Sequence, residues 1–338
     1  MFQNQIFSRR GLWWFFLFLP SLPLFSQVPA RQYEDELKIW FNHPAKNWNE
    51  ALPVGNGRLG AMVFGGITSE RLQLNEETIW SGKPEDFANP NSRKALPHVR
   101  ELLFAGKYAE AQKLAQSNMM GDRKTGSNYQ TLGDLQLEFL NQQNISDYRR
   151  ELDLETAVAR VSYRTDKAFF TREIFSSAPD QALVVQLTAD KAGALSFNLN
   201  YSRPGNKAKI EAVKDELTVS EHINGGVGVK MVLRLKVLKE GGTITANGGG
   251  LSVVGANTVT LLITAATDYR GTDPLVLAGN QLINAQKKTF LQIKADHIKD
   301  YQGYFKRLDL DLGRTDAVYF PTDTRILAMQ NGNIDPSC

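Results

Sequence analysis

Between residues 129 and 270 apolar and polar positions alternate in short runs set apart by turn residues. "LQLEF", "AVARVSY", "ALVVQLTA", "LSFNLNYS", "VKMVLRLKVL" and "TVTLLITAAT" follow one another. In "KMVLRLKVL", Met231, Leu233, Leu235 and Val237 point one way and Arg234 and Lys236 the other, the period of two of a strand with one wet face. Turn signals such as Asp166-Lys167, Asn224-Gly225-Gly226 and Gly241-Gly242 punctuate the runs. Parallel pairing needs long crossovers, so many strands with tight connections predict a mainly β fold, a large antiparallel sandwich. Residues 31–90 add shorter runs, "LKIWF", "GAMVFGG" and "ERLQLNEETIWSG", also read as strands.

Two stretches break this pattern. In residues 92–119, Val99, Leu102 and Leu103, then Tyr108, Ala111, Leu114 and Ala115, fall at helical spacing, with Gly106 separating two short helices. In residues 273–306, Phe290, Ile293, His297, Tyr301 and Phe305 keep the same spacing, and "TDP" supplies a cap and an early proline. "RLDLDLG" then reads as one more strand, and the rest to residue 338 as a polar tail.

The first 30 residues carry an Arg9-Arg10 pair, an apolar run from Leu12 to Phe25 interrupted by Pro20 and Pro23, and small residues at Ser26 and Ala30. That is the three-part pattern of a secretory signal peptide, expected over 1–26 and removed on export to the periplasm or the exterior. The run is shorter than the roughly 20 residues that span a bilayer, so no membrane anchor is expected after cleavage. With 39 basic against 36 acidic side chains and no dense basic cluster, the chain carries no electrostatic footprint for nucleic acid. Its one cysteine, Cys338, excludes an intrachain disulfide and a cysteine-based metal site.

"WNEALPVGNGRLGAMVFGG" contains a G-x-G-x-x-G at Gly55, Gly57 and Gly60. A dinucleotide fingerprint needs a helix after the glycines, whose N-terminus meets the pyrophosphate. Only Ala61, Met62, Val63 and Phe64 follow before Gly65-Gly66, too few for that helix. Gly55 and Gly57 therefore read as a sharp turn between antiparallel strands, and no nucleotide or other cofactor is expected.

Around this turn cluster Trp48, Glu50, Asn56 and Arg58, followed by Asn75, Glu76, Glu77 and Trp80. Indole faces stack on the C–H faces of sugar rings, and amides and carboxylates bond the hydroxyls. These eight are the candidate substrate-binding residues; the competing reading is a structural network that ties loops together. Asp180 joins Glu50, Glu76 and Glu77 as a carboxylate to consider for catalysis, but the adjacent Glu76 and Glu77 would face opposite sides of a strand. His43, His98, His222 and His297 lie far apart, without metal-ligand spacing, and no metal site is assigned.

"WNEALPVGNGRLGAMVFGG", "LQLNEETIWSG", "YQTLGDLQLEF", "YRRELDLETAVARVSY", "REIFSSAPDQALVVQLTA" and "HIKDYQGYFKRLDLDLG" together resemble, in order, the N-terminal region of glycoside hydrolase family 95, the α-L-fucosidase family. The resemblance implies a β-super-sandwich over 31–272, with a few inserted helices. It implies a helical linker, strand and truncated tail over 273–338, with the family's catalytic (α/α) barrel absent. It further implies inverting hydrolysis of a terminal fucosyl linkage, which needs a proton on the leaving oxygen and an activated water on the opposite face. In that family the responsible groups belong to the barrel, so no catalytic residue is assigned here. The expected partners are a fucosylated oligosaccharide or glycan and a barrel in the same or a separate chain. A stand-alone glycan-binding scaffold without hydrolase activity is the alternative.

Overall fold

The computed structural model describes residues 37–83, 86–121, 127–140, 142–205 and 207–336. The expected signal peptide and Cys338 lie outside the described residues, and no described helix is long and apolar enough to cross a membrane. The strands, in chain order, are β1 (Lys38–Phe41), β2 (Leu52–Gly55), β3 (Leu59–Val63), β4 (Ser69–Glu76), β5 (Gly133–Phe139), β6 (Ser146–Asp153), β7 (Val158–Arg164) and β8 (Phe169–Ser177). There follow β9 (Ala182–Ala189), β10 (Leu195–Ser202), β11 (Lys209–Val213), β12 (Glu216–His222), β13 (Lys230–Asn247) and β14 (Gly250–Thr267). The helices are α1 (Ser92–Phe104), α2 (Tyr108–Asn118), α3 (Pro274–Ala285), α4 (Phe290–Phe305) and α5 (Thr322–Gln330).

All fourteen strands belong to one antiparallel sheet, in the order β1-β6-β7-β8-β9-β14-β10-β5-β4-β3-β2, with β13, β12 and β11 on the other edge of β14. The sheet curls on itself, so that β2 and β3 pack against β7, β8 and β9. β14 is the joint. Leu251–Ala256 pairs with β10, Thr258–Ile263 pairs with β9, and β13 runs along the opposite edge throughout. The register shifts at Glu240/Gly241, where Gly241 and Gly242 adopt φ of +69° and +62° and let the ribbon bend into both layers. Inward residues such as Leu72, Leu74, Leu135, Leu137, Val161, Leu233 and Ile263 fill the space between the layers.

The expected mainly β, antiparallel architecture is therefore present, and Arg234 and Lys236 lie part-exposed on the outer face of β13, though that face is not wet throughout. Met231, Leu233, Leu235 and Val237 do face the core, yet Val232 is also buried, because α3 covers the outer face with Ala278. α4 continues this cover: Leu282 of α3 and Ile293 of α4 join Phe175, Val184 and Leu262 in a second core, each burial worth about 1.5–3 kcal/mol. The helical run from 273 is two helices. Asp273 caps α3, its side chain accepting from the Leu275 and Val276 amides, and Thr289 with Gln292 forms a capping box that restarts the chain as α4.

"RLDLDLG" forms no strand. It joins no ladder among the described residues, and Leu308, Leu310 and Leu312 are all exposed. Alternation favours a pleated backbone, but only a free neighbouring edge turns it into a ladder. The tail contains α5, which the sequence pattern did not reveal. α5 docks on β1 through Trp40 N donating to Thr322 Oγ1 and through His43 facing Asp323 at 3.0 Å.

Candidate functional site

The glycine-rich motif is a hairpin. β2 and β3 pair with Gly55 opposite Gly60, and Gly57 takes φ +87° in the loop between them. Asn56 builds the turn: its Oδ1 accepts from the Arg58 and Leu59 amides, and its Nδ2 donates to the Ser177 carbonyl across the sandwich. At Gly60 a Cβ would lie 2.8 Å from the Val54 carbonyl oxygen, so only glycine fits there. No helix follows, as the turn reading requires.

Leu52, Val54, Leu59 and Ala61 point into the core, so the opposite face of the hairpin, with Gly55 and Gly60, is left with little side chain. That bare floor belongs to a groove of about 530 Å³. Trp48 and Tyr129 stand in its lining, with Gln73, Asn75 and Thr131 among the polar groups. Trp48 projects from a short 3-10 turn, Trp48–Glu50, and is 57% exposed. Tyr129 donates to the Glu76 carbonyl at 3.0 Å and meets Trp80 edge to face at 5.5 Å. Burial, the largest influence on it, raises the Tyr129 pKa, so its phenol stays neutral.

Of the eight candidates, the groove brings together Trp48, Arg58 and Asn75. Glu50, Asn56, Glu76, Glu77 and Trp80 fall outside its lining. Glu50 ties its own loop, its carboxylate accepting from the Lys46 amide and from Asn47 Nδ2. Glu76 is buried and accepts from the Thr78 amide and hydroxyl, with Arg58 Nη1 at 3.3 Å. Glu77 lies outside and pairs with Arg270 at 2.7 Å. The two neighbours thus do face opposite ways. Arg58 is itself committed: it donates to the Gln181 side chain, the Gln181 carbonyl and the Ala265 carbonyl, which makes it a brace behind the groove. Asp180 accepts from Ser177 and from Lys288.

Among the described residues no carboxylic acid lines this groove. Among the described residues no three of His, Cys, Asp or Glu come together as a metal cluster. His297 packs between Phe175 and Tyr301, with its ring Nε2 3.0 Å from the Thr156 carbonyl. Tyr129 is the residue that sequence reasoning missed. It opens the quoted motif "YQTLGDLQLEF", and its place one bridge from Trp80 is set by pairing across 49 residues of chain.

Comparison with known proteins agrees with this architecture. "Alpha-L-fucosidase 2" from Arabidopsis thaliana is 35% identical over 311 residues, covering 82% of this chain and 36% of that protein. "Probable alpha-fucosidase A" from Aspergillus niger is 28% identical over 303 residues, covering 81% of this chain and 38% of that protein. The chain thus spans well under half the length of these relatives. A solved structure described as "Putative kojibiose phosphorylase from human microbiome" superposes with a TM-score of 0.50 over 88% of this chain and 41% of the other, at 14% identity, a likeness of fold alone. The family description that matches is of family 65 rather than of the family 95 suggested by the motifs. It is "Glycosyl hydrolase family 65, N-terminal domain", matched over residues 39–272, and the chain belongs to that family of glycoside hydrolase N-terminal domains.

Proposed function

We propose that this chain is the non-catalytic, exported β-module of an α-L-fucosidase-type glycoside hydrolase of family 95 character. Its Trp48–Asn75–Tyr129 groove contacts the fucosylated glycan while a catalytic barrel, on the same or a separate chain, performs inverting hydrolysis. The observation that carries this reading is an aromatic-flanked, glycine-floored groove without an acid in its lining. Glycoside hydrolysis ordinarily takes two carboxyl groups on either side of the scissile bond. The candidates for that role, Glu50, Glu76, Glu77 and Asp180, are each engaged in holding a loop, a turn or a helix. An indole with an open face and a row of amides and hydroxyls supports a sugar, by stacking and hydrogen bonding, without cutting it. The likeness to the Arabidopsis and Aspergillus α-fucosidases supports the choice of fucosyl substrate.

The test is a paired assay on the purified chain. An aryl α-L-fucoside is expected to release no fucose, whereas a fucosylated oligosaccharide is expected to bind saturably and about tenfold more weakly after Trp48→Ala. Release of fucose by the chain alone overturns the non-catalytic reading, and absence of binding overturns the groove's role. Recovery of the protein from the culture medium or periplasm, with residues 1–26 removed, checks export.

A further inference from the structure

Beside the groove, the edge strand β2 borders a second hollow of about 350 Å³, between that strand, the end of β8 and α4. Its lining includes Gly55, Asn56, Asp300, Tyr301 and Tyr304. A third hollow of about 430 Å³ continues along α4, sharing Asp300 and Tyr304 and adding Lys299 and Arg307. Gly55 lines both the first groove and the second hollow. Neighbouring depressions thus share lining residues, the first two Gly55 and the last two Asp300 and Tyr304. Each exceeds the roughly 300 Å³ at the lower end of small-molecule sites.

We propose that they form one track for a neutral oligosaccharide, which lies against Trp48 and Tyr129, rounds the sheet edge at Gly55 and follows α4 past Tyr304. This rests on the first groove taking a sugar, as argued above, and extends it from a single subsite to an extended chain.

Gly55 is the first argument. Its cross-strand partner Gly60 has to be glycine because a side chain would strike the Val54 carbonyl. Gly55 does not: its φ is not in the left-handed region, and a Cβ there would meet nothing closer than 3.8 Å. Neither backbone geometry nor packing explains the missing side chain, but an open passage between the first two hollows does.

The aromatic groups are the second. Trp48, Tyr129 and Tyr304 are 57%, 42% and 65% exposed, large rings left in water along one path. Arg307 stacks on Tyr304 at 4.7 Å, which fixes the ring without burying it. Exposed rings spaced along a groove are platforms for the C–H faces of successive sugars.

Charge is the third and selects the ligand. Along α4 the acids Asp296 and Asp300 are matched by Lys299 and Arg307, and Asp296 is further paired with Lys288. In the first groove the one charged residue, Arg58, has its guanidinium bonded to Gln181, Ala265 and Glu76. The track thus offers no net charge for an acidic or basic sugar to answer.

The test is calorimetric titration of the full chain with a fucose-capped neutral disaccharide and hexasaccharide. The hexasaccharide is expected to bind at least about tenfold more tightly. Tyr304→Ala, a truncation at an exposed site, is expected to remove that gain and leave the disaccharide within about twofold of its original affinity. Gly55→Leu, whose Cβ fits without a clash, is expected to abolish the gain as well. Equal affinity for the two glycans, or a gain that survives Tyr304→Ala, overturns the track while leaving the first groove standing. Failure of both glycans to bind overturns the track and the groove together. Tighter binding of a sialylated hexasaccharide than of the neutral one overturns the assignment to neutral chains.

Discussion

Arg150 donates from Nη1 to the Glu50 carbonyl at 2.6 Å, and its Nε reaches the His43 carbonyl at 3.4 Å, so one fully buried side chain spans the loop that carries Trp48. Its guanidinium also lies over the Phe41 ring at 4.2 Å. Arg150→Met keeps most of the volume but leaves two part-buried carbonyls without their donor, a loss of about 1–3 kcal/mol. The expected result is a lower urea midpoint with an unchanged slope, together with weaker glycan binding because the Trp48 wall is released. An unchanged midpoint would show that the loop holds itself.

His297 predicts sensitivity to acid. Burial, the largest influence, pushes its pKa below the ordinary 6.5, and the ring is stacked with Phe175 and Tyr301. The unfolded chain then binds the proton more readily than the folded one. Stability attributable to this residue is complete above about pH 6.5 and falls as pH drops below it toward the depressed folded value. His297→Phe is expected to flatten the stability profile between about pH 5 and 7, read from thermal midpoints at several pH values. A slope that survives the substitution assigns the effect elsewhere.

The His43–Asp323 pair has the opposite response. The Pro44 carbonyl and then the Asp323 carboxylate raise the His43 pKa. Burial opposes ionisation of Asp323, but the bond from His43 and backbone amides lower its pKa below the ordinary 3.8. The His43 contribution is full below about pH 6.5 and is lost as pH rises through its raised folded value; the Asp323 contribution is full above about pH 4 and is lost on deeper acidification. Both groups are partly exposed, so the pair is worth at most about 1 kcal/mol. Hydrogen exchange of the α5 amides, corrected for the intrinsic pH dependence of exchange, should show greatest protection near pH 5 and less at pH 8, and Asp323→Asn should remove the difference.

The facing glycines Gly55 and Gly60 make a controlled comparison. Gly60→Ala drives a methyl against the Val54 carbonyl and is expected to cost more than about 1 kcal/mol. Gly55→Ala has room and restricts the unfolded chain, so it should be neutral or stabilising by about 0.4–1 kcal/mol. Denaturant titration of both variants decides the matter; equal losses would mean that the strand, not the carbonyl contact, selects glycine.

What could be read from the sequence was whatever depends on near neighbours. The strand period of "KMVLRLKVL", the turn at Gly57, the break at Gly106 and the cap at Asp273 are set by a few adjacent residues, and the structure contains each. What depended on distant chain was not legible. Val232 on the outer face of β13 is buried because α3 returns to cover it, and "RLDLDLG" joins none of the described strands although its leucines alternate. The same limit applied to the site. Trp48, Arg58 and Asn75 were found by residue type, but type cannot tell a wall from a brace. Arg58 and Glu76 turn their charge inward to each other, and Tyr129 enters the groove only through its bridge to Trp80.

β14 is the shared neighbour of β9, β10 and β13, and it belongs to both layers along its 18 residues. Neither layer can be peeled away without breaking that strand's ladders, so the walls of the groove and the helices α3 and α4 should melt together. A ligand held at the hairpin would accordingly be felt as added protection in α3, which packs on β13 and β14.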